Sequence, residues 1–248
     1  MERLRNPKIK GVLVSCDVRF ESLCASECIM AFTEYAQMRY PDLFSKEEQG
    51  GAAAAAVDVE AAIAAEAAKE KEERHFQSVN TGVKGLVFIE FTHTQMSPLD
   101  LCSDVVKQVK ATGHTKTKYA VRMTPVLASS YASIDNISKA VEPLLSEYLG
   151  AGAEATSYSI VFKKRSNDLN RVELIDKVAG MVDKKHKVDL TTPKICLLVD
   201  VLTNNCLLGI AYDYFGLRKF NIQELAGIGI KETDKKEGGG EGERVKAK

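Results

Sequence analysis

The sequence predicts an α+β fold built as two compact blocks that meet near residue 128. Three observations predict it. Short apolar runs of strand length alternate with longer stretches of helical apolar spacing. The order of those elements changes from one block to the next. Hydrophobic residues make up 45% and charged residues 27% of 248 residues, the balance of an ordinary globular protein with one large domain or two small ones. No apolar run approaches the ~20 residues that a membrane span needs, so no membrane partner is expected.

The first block, residues 1–128, starts with an apolar run, Gly11-Val12-Leu13-Val14-Ser15-Cys16, which reads as a buried strand. A helix is expected from about Ser22 to Met38, with Cys24, Cys28, Ala31 and Tyr35 on one face. Gly85 to Phe91 reads as a second strand. Ser97-Pro98-Leu99-Asp100 opens a helix, with serine as N-cap and proline at the first position. Tyr119 to Met123 is a third strand, ended near Pro125. The order β-α-β-α-β resembles a ferredoxin-like half-sandwich.

Residues from about 43 to 79 interrupt this block with Gly50-Gly51, five alanines and then Ala/Glu/Lys. These are strong helix formers, but large apolar residues are nearly absent. The segment reads as an inserted, partly helical or disordered loop. The tail, 226–248, carries Gly238-Gly239-Gly240 among mixed charges and is expected to be disordered.

The second block, 129–225, reads α-α-β-α-β-β. Ile134, Ile137, Val141, Leu145 and Tyr148 have helical spacing, and Pro143 is expected to split or kink that run. Tyr158, Ile160 and Phe162 alternate with Ser159, Val161 and Lys163, which is strand period. Asn170 caps the next helix, with Glu173 at the capping-box position. Ile195 to Val201 and Cys206 to Tyr212 are two strands joined by a turn at Thr203-Asn204-Asn205.

Enzyme motifs are scarce. There is no G-x-x-x-x-G-K-[ST] loop, no G-x-G-x-x-G after a strand and no G-x-S-x-G elbow. Six cysteines lack metal-ligand spacing and sit on apolar faces, so they read as reduced core residues. The N-terminus, Met1 to Pro7, has no apolar signal-peptide core, which suits a cytosolic or nuclear protein. No metal and no cofactor is expected. His75 and His186 read as surface residues; His93 follows a strand end, where ligand contacts can sit. Asp200 and Asp213, within and near the end of strands, could act as general bases, although ion pairing or capping explains them as well.

Net charge is zero, with 34 basic and 34 acidic residues. Any nucleic-acid site must therefore be a local patch. Lys163-Lys164-Arg165-Ser166-Asn167 leaves a strand and enters the loop before the Asn170 cap. Positive side chains, amide donors and a helix N-terminus together suit phosphate, with Arg171 in the first helical turn. Lys116, Lys118 and Arg122 form a second cluster, and Arg218-Lys219 a third. On charge alone, all three read equally well as ordinary solvated clusters.

The run Tyr158 to Arg165, then Asn170-Arg171-Val172-Glu173 to Gly180, then Lys187-Val188-Asp189-Leu190-Thr191-Thr192-Pro193 before an apolar strand, resembles a THUMP domain. Arg122-Met123-Thr124-Pro125 and Leu217 to Leu225 resemble the stand-alone THUMP proteins that assist tRNA N4-acetylcytidine formation. The resemblance implies a ferredoxin-like domain followed by a THUMP domain. It also implies a non-catalytic adaptor that binds tRNA and presents it to an RNA cytidine acetyltransferase. That partner would use acetyl-CoA and ATP on a D-arm cytidine of leucine and serine tRNAs, and its company implies residence in the nucleus or nucleolus, with the cytoplasm also open. RNA contact is then expected of Lys163, Lys164, Arg165, Asn167, Arg171, Arg218, Lys219, Arg122, Lys118 and Lys116. A self-sufficient RNA-modifying enzyme, or a tRNA scaffold serving a different enzyme, stays open.

Overall fold

The computed structural model describes residues 3–44 and 74–228. Most of the alanine-rich insert and nearly all of the expected disordered tail lie outside the described residues. The first unit holds β1 (Gly11–Cys16), α1 (Glu21–Arg39), the short α2 (Pro41–Phe44), β2 (Phe76–Asn80), β3 (Leu86–Phe91), α3 (Pro98–Thr112) and β4 (Ala120–Val126). Its sheet runs β2-β3-β1-β4 with every neighbour antiparallel. The sequence predicts three strands here. The fourth, β2, lies inside the segment assigned to the end of the insert, so the insert is shorter than expected on that side.

Alternation along β1 divides the core. Val12 and Val14 pack with Cys24, Cys28, Phe32, Val105 and Val109 of the two long helices. Leu13 points the other way, with Leu4, Phe88, Val126, Leu202 and Leu207. Helix α3 is capped as expected: Ser97 accepts a hydrogen bond from the Asp100 N–H at 3.2 Å, and Gly113 closes the helix at φ 69°, a left-handed conformation that glycine adopts without a Cβ clash. Arg39 ties α1 to α3 through Asp100 and Asp104 at 3.2 and 2.8 Å.

The second unit holds β5 (Ala128–Tyr131), α4 (Ile134–Leu149), β6 (Ser157–Arg165), α5 (Arg171–Ala179), β7 (Lys187–Val188), β8 (Ile195–Leu202) and β9 (Asn205–Tyr212). Its sheet runs β5-β9-β8-β6-β7; β6 is parallel to both β7 and β8, and the other pairs are antiparallel. The expected α-α start is corrected to one strand and one helix. Pro143 lies inside an unbroken α4. It sits on the exposed side, while Ile137, Val141, Leu144, Leu145 and Leu149 are buried. Burial on both sides of the proline outweighs its local cost of about 3 kcal/mol. β8 is buried along its whole length, because α4 and α5 cover one face and the first unit covers part of the other.

The chain ends lace the two units together. The hydroxyl of Ser129 donates to the carbonyls of Leu4 and Asn6 at 2.6 and 2.9 Å. After β9 the chain crosses back through a 3-10 turn, Arg218–Phe220, into α6 (Ile222–Leu225). Tyr214, Leu217, Phe220 and Ile222 of this closing segment are buried in the core of the first unit's helices. Where β9 passes β4, a Cβ on Gly209 would lie 1.9 Å from the Pro125 carbonyl oxygen, so only glycine fits that crossing.

Candidate nucleic-acid interface

Strand alternation decides which basic residues share a face. β6 and β8 are parallel neighbours with Lys163 opposite Asp200 and Arg165 opposite Leu202. Lys163 and Arg165 therefore turn toward the first unit with Asp200. Lys164, one residue out of phase, turns to the helix side, where its ammonium donates to the Leu169 carbonyl at 3.2 Å. The expected Lys163-Lys164-Arg165 cluster is thus divided between two faces.

On the first unit, Leu13 and Ser15 of β1 stand opposite Thr124 and Arg122 of β4. These four residues, with Leu86, meet Lys163, Arg165 and Asp200 around one cleft of about 40 Å³. Three cations from two units thus surround one carboxylate. Asp200 is only 8% exposed. Burial pushes its carboxyl above the usual carboxylate range, and the charges of Lys163, Arg165 and Arg122 pull it back. The Nε of Arg122 is buried and has no hydrogen-bond partner among the described residues.

Lys163 is held from below by Tyr214, whose hydroxyl accepts from its ammonium at 3.0 Å and whose ring centroid lies 5.7 Å away. The closing segment that follows carries further basic residues. Lys219 lies 5.5 Å over the Phe215 ring. Asn221 bridges to Arg122 through the backbone, and the Gln223 amide donates to the Lys118 carbonyl at 3.4 Å. Arg218, Lys219 and Phe220 have φ of 51°, 54° and 57°. A left-handed turn of three non-glycine residues stores strain, about 1–2 kcal/mol per residue. Phe220, fully buried, anchors it and leaves Arg218 and Lys219 exposed at its outer side.

The other expected residues stand apart. Lys116 is paired with Glu34 and lies 5.3 Å over the Tyr35 ring. Asn167 is used by its own loop: its amide donates to the Thr203 carbonyl at 2.5 Å and its oxygen accepts from the Leu169 N–H at 2.7 Å. Arg171 is exposed in the first turn of α5, after the Asn170 cap that accepts from the Val172 and Glu173 N–H groups.

Tyr214, Ser15 and Thr124 were missed, because none carries a charge; Thr124 lies in the Arg122-Met123-Thr124-Pro125 motif but without a role read for its hydroxyl. The split of Lys164 from Lys163 was readable from strand period. His186 is corrected from the surface to the interior: it is 6% exposed. Its Nδ1 accepts from the Thr156 N–H at 3.3 Å. His75 is partly buried, between the Phe44 and His93 rings at 4.5 and 5.9 Å. Asp200 and Asp213 are no catalytic pair. Asp200 faces Leu207 in the ladder, and Asp213 lies six residue steps beyond Leu207, about 20 Å along the chain. Burial also pushes the Cys16 thiol up to about 12, the wrong direction for a nucleophile.

Residues 131–211 match the family model for the THUMP domain. The chain is 32% identical over 235 residues to THUMP domain-containing protein 1 of Bos taurus, covering 90% of this chain and 65% of that protein. It is 29% identical over 262 residues to the THUMP domain-containing protein 1 homolog of Drosophila melanogaster, covering 94% and 78%. Among solved structures, the solution structure of the THUMP domain of THUMP domain-containing protein 1 is 30% identical and covers 31% of this chain and 81% of that one, with a TM-score of 0.28. The chain spans about two thirds of the cattle protein's length. It carries a THUMP domain over residues 131–211.

Proposed function

We propose that this protein is a non-catalytic tRNA-binding adaptor that presents leucine and serine tRNAs to a separate RNA cytidine acetyltransferase for N4-acetylcytidine formation. One observation carries the reading: a chain of zero net charge concentrates Arg122, Lys163 and Arg165 at the junction of a THUMP domain with a second unit. In this reading Lys118, Arg218 and Lys219 extend that surface. Basic groups fixed at a two-unit junction suit the phosphates of a folded RNA better than a single groove would.

The β-α-β-β-α-β course of the first unit and its β2-β3-β1-β4 order support reading it as a ferredoxin-like domain. In this proposal it supplies half of the tRNA surface. Another face recruits the acetyltransferase, which brings acetyl-CoA and ATP, and the complex works in the nucleus or nucleolus. The names of the relatives support the family comparison; the acetylation role rests on the sequence resemblance.

Nucleoside mass spectrometry of tRNA from cells with and without the protein tests it. The expected result is loss of N4-acetylcytidine from tRNA with the ribosomal signal retained. An unchanged level rejects the adaptor role, and loss of another modified nucleoside names a different enzyme as the one served. In vitro, log affinity for tRNA is expected to fall linearly with log salt; binding indifferent to salt counts against the basic surface.

A further inference from the structure

We propose that Arg122, Lys163 and Arg165 hold one RNA phosphate at the mouth of the cleft between the two units, and that Asp200 is the internal counter-ion this phosphate replaces. The inference rests on the tRNA-binding reading and assigns it a defined site. Three cations converge from β4 and β6, so neither unit alone holds them. The hydroxyls of Ser15 and Thr124 line the same cleft and can donate to phosphate oxygens. Arg122 has a buried Nε with no partner among the described residues, and the ammonium of Lys163 is aimed by Tyr214.

Asp200 explains how such a cluster survives in the unliganded protein. It makes no ion pair within 4.0 Å among the described residues, yet it lies among Arg122, Lys163 and Arg165 and opposes their charge. The buried Cys206 thiol of β9 lies opposite Val201, on the helix side of the sheet; it is pushed up chiefly by its own burial and further by the Asp200 charge. Arg122 is the first unit's charge at the cleft; its other lining residues there, Leu13, Ser15, Leu86 and Thr124, carry none. An arriving phosphate adds negative charge beside Asp200 and raises its proton affinity. Phosphate binding and protonation of Asp200 are therefore linked, and RNA binding strengthens as pH falls below neutral.

The test is fluorescence anisotropy of the full chain with a leucine tRNA transcript, across salt and pH series. Arg165→Gln, at an exposed position, and Arg122→Gln are each expected to weaken binding about tenfold and to lower the salt slope by about one. Asp200→Asn is expected to bind more tightly than wild type at neutral pH and to lose the strengthening at lower pH. Lys184→Gln, also exposed, serves as the charge control and is expected to lower affinity less than either arginine variant. A thermal melt of each variant checks that it is folded, and Arg165→Gln keeps the test open if Arg122→Gln is not. Wild-type affinity and slope in both arginine variants overturn the phosphate site while leaving tRNA binding standing. An Asp200→Asn pH profile that matches wild type overturns the counter-ion role. Failure of the wild type to bind the transcript at all overturns the tRNA reading and the site with it.

Discussion

At the scale of single residues, Asp200 gives the sharpest expectation. Its folded carboxyl is raised by burial above its unfolded value. A raised acid binds more protons folded than unfolded, so the stability it contributes is fully present below the unfolded pKa and is lost as pH rises through the folded one. Asp200→Asn is therefore expected to be more stable than wild type at neutral pH, with the gain vanishing in acid. Urea melts at two pH values check this, and a variant equally destabilised at both would contradict it. Gly209 is the second case. A methyl group there meets the Pro125 carbonyl at 1.9 Å. Gly209→Ala is expected to cost about 3 kcal/mol, the upper end of ordinary overpacking, and a denaturant midpoint within error of wild type would refute the close crossing. Sequence showed Asp200 as an odd charge in an apolar run. It could not show that three cations from two strands surround it, because Arg122 lies on the other unit.

At the scale of elements, apolar period and caps made most of the fold legible. The Ser97 and Asn170 caps stand where the sequence put them. β2 was not legible, since Phe76-Gln77-Ser78-Val79-Asn80 buries only two of its five residues and follows low-complexity chain. Pro143 does not split α4, because the apolar residues that flank it, Ile137 and Val141 before and Leu144, Leu145 and Leu149 after, are all buried and outweigh its local cost. The closing segment was legible as a motif but not as a structural part. Its rings enter the first unit's core, with Tyr214 and Phe220 at centroids 5.4 Å apart. Phe220→Ala is expected to cost about 3–5 kcal/mol, as for other buried aromatic truncations. Calorimetry showing less than about 1 kcal/mol would mean that the segment merely rests on the surface.

At the scale of the molecule, zero net charge concealed the candidate interface. Composition averages over the chain, whereas the fold selects Arg122, Lys163 and Arg165 for one cleft and sends Lys164 to the opposite face. Two-unit architecture also makes the halves interdependent. A fragment ending at Leu127 lacks Tyr214, Leu217, Phe220 and Ile222 from its own core. Such a fragment is expected to show little cooperative unfolding by circular dichroism, and a sharp two-state melt would refute that dependence.

The reciprocal lacing of the ends has a consequence during synthesis. The ribosome delivers β1 through β4 first, but the side chains that finish their core emerge only after β9. For that interval, at about 5–20 residues per second, the helices of the first unit wait with an open apolar site. Rare codons or a translational pause between β4 and the closing segment would lengthen that wait and raise the yield of aggregated chains, while leaving the finished protein unchanged.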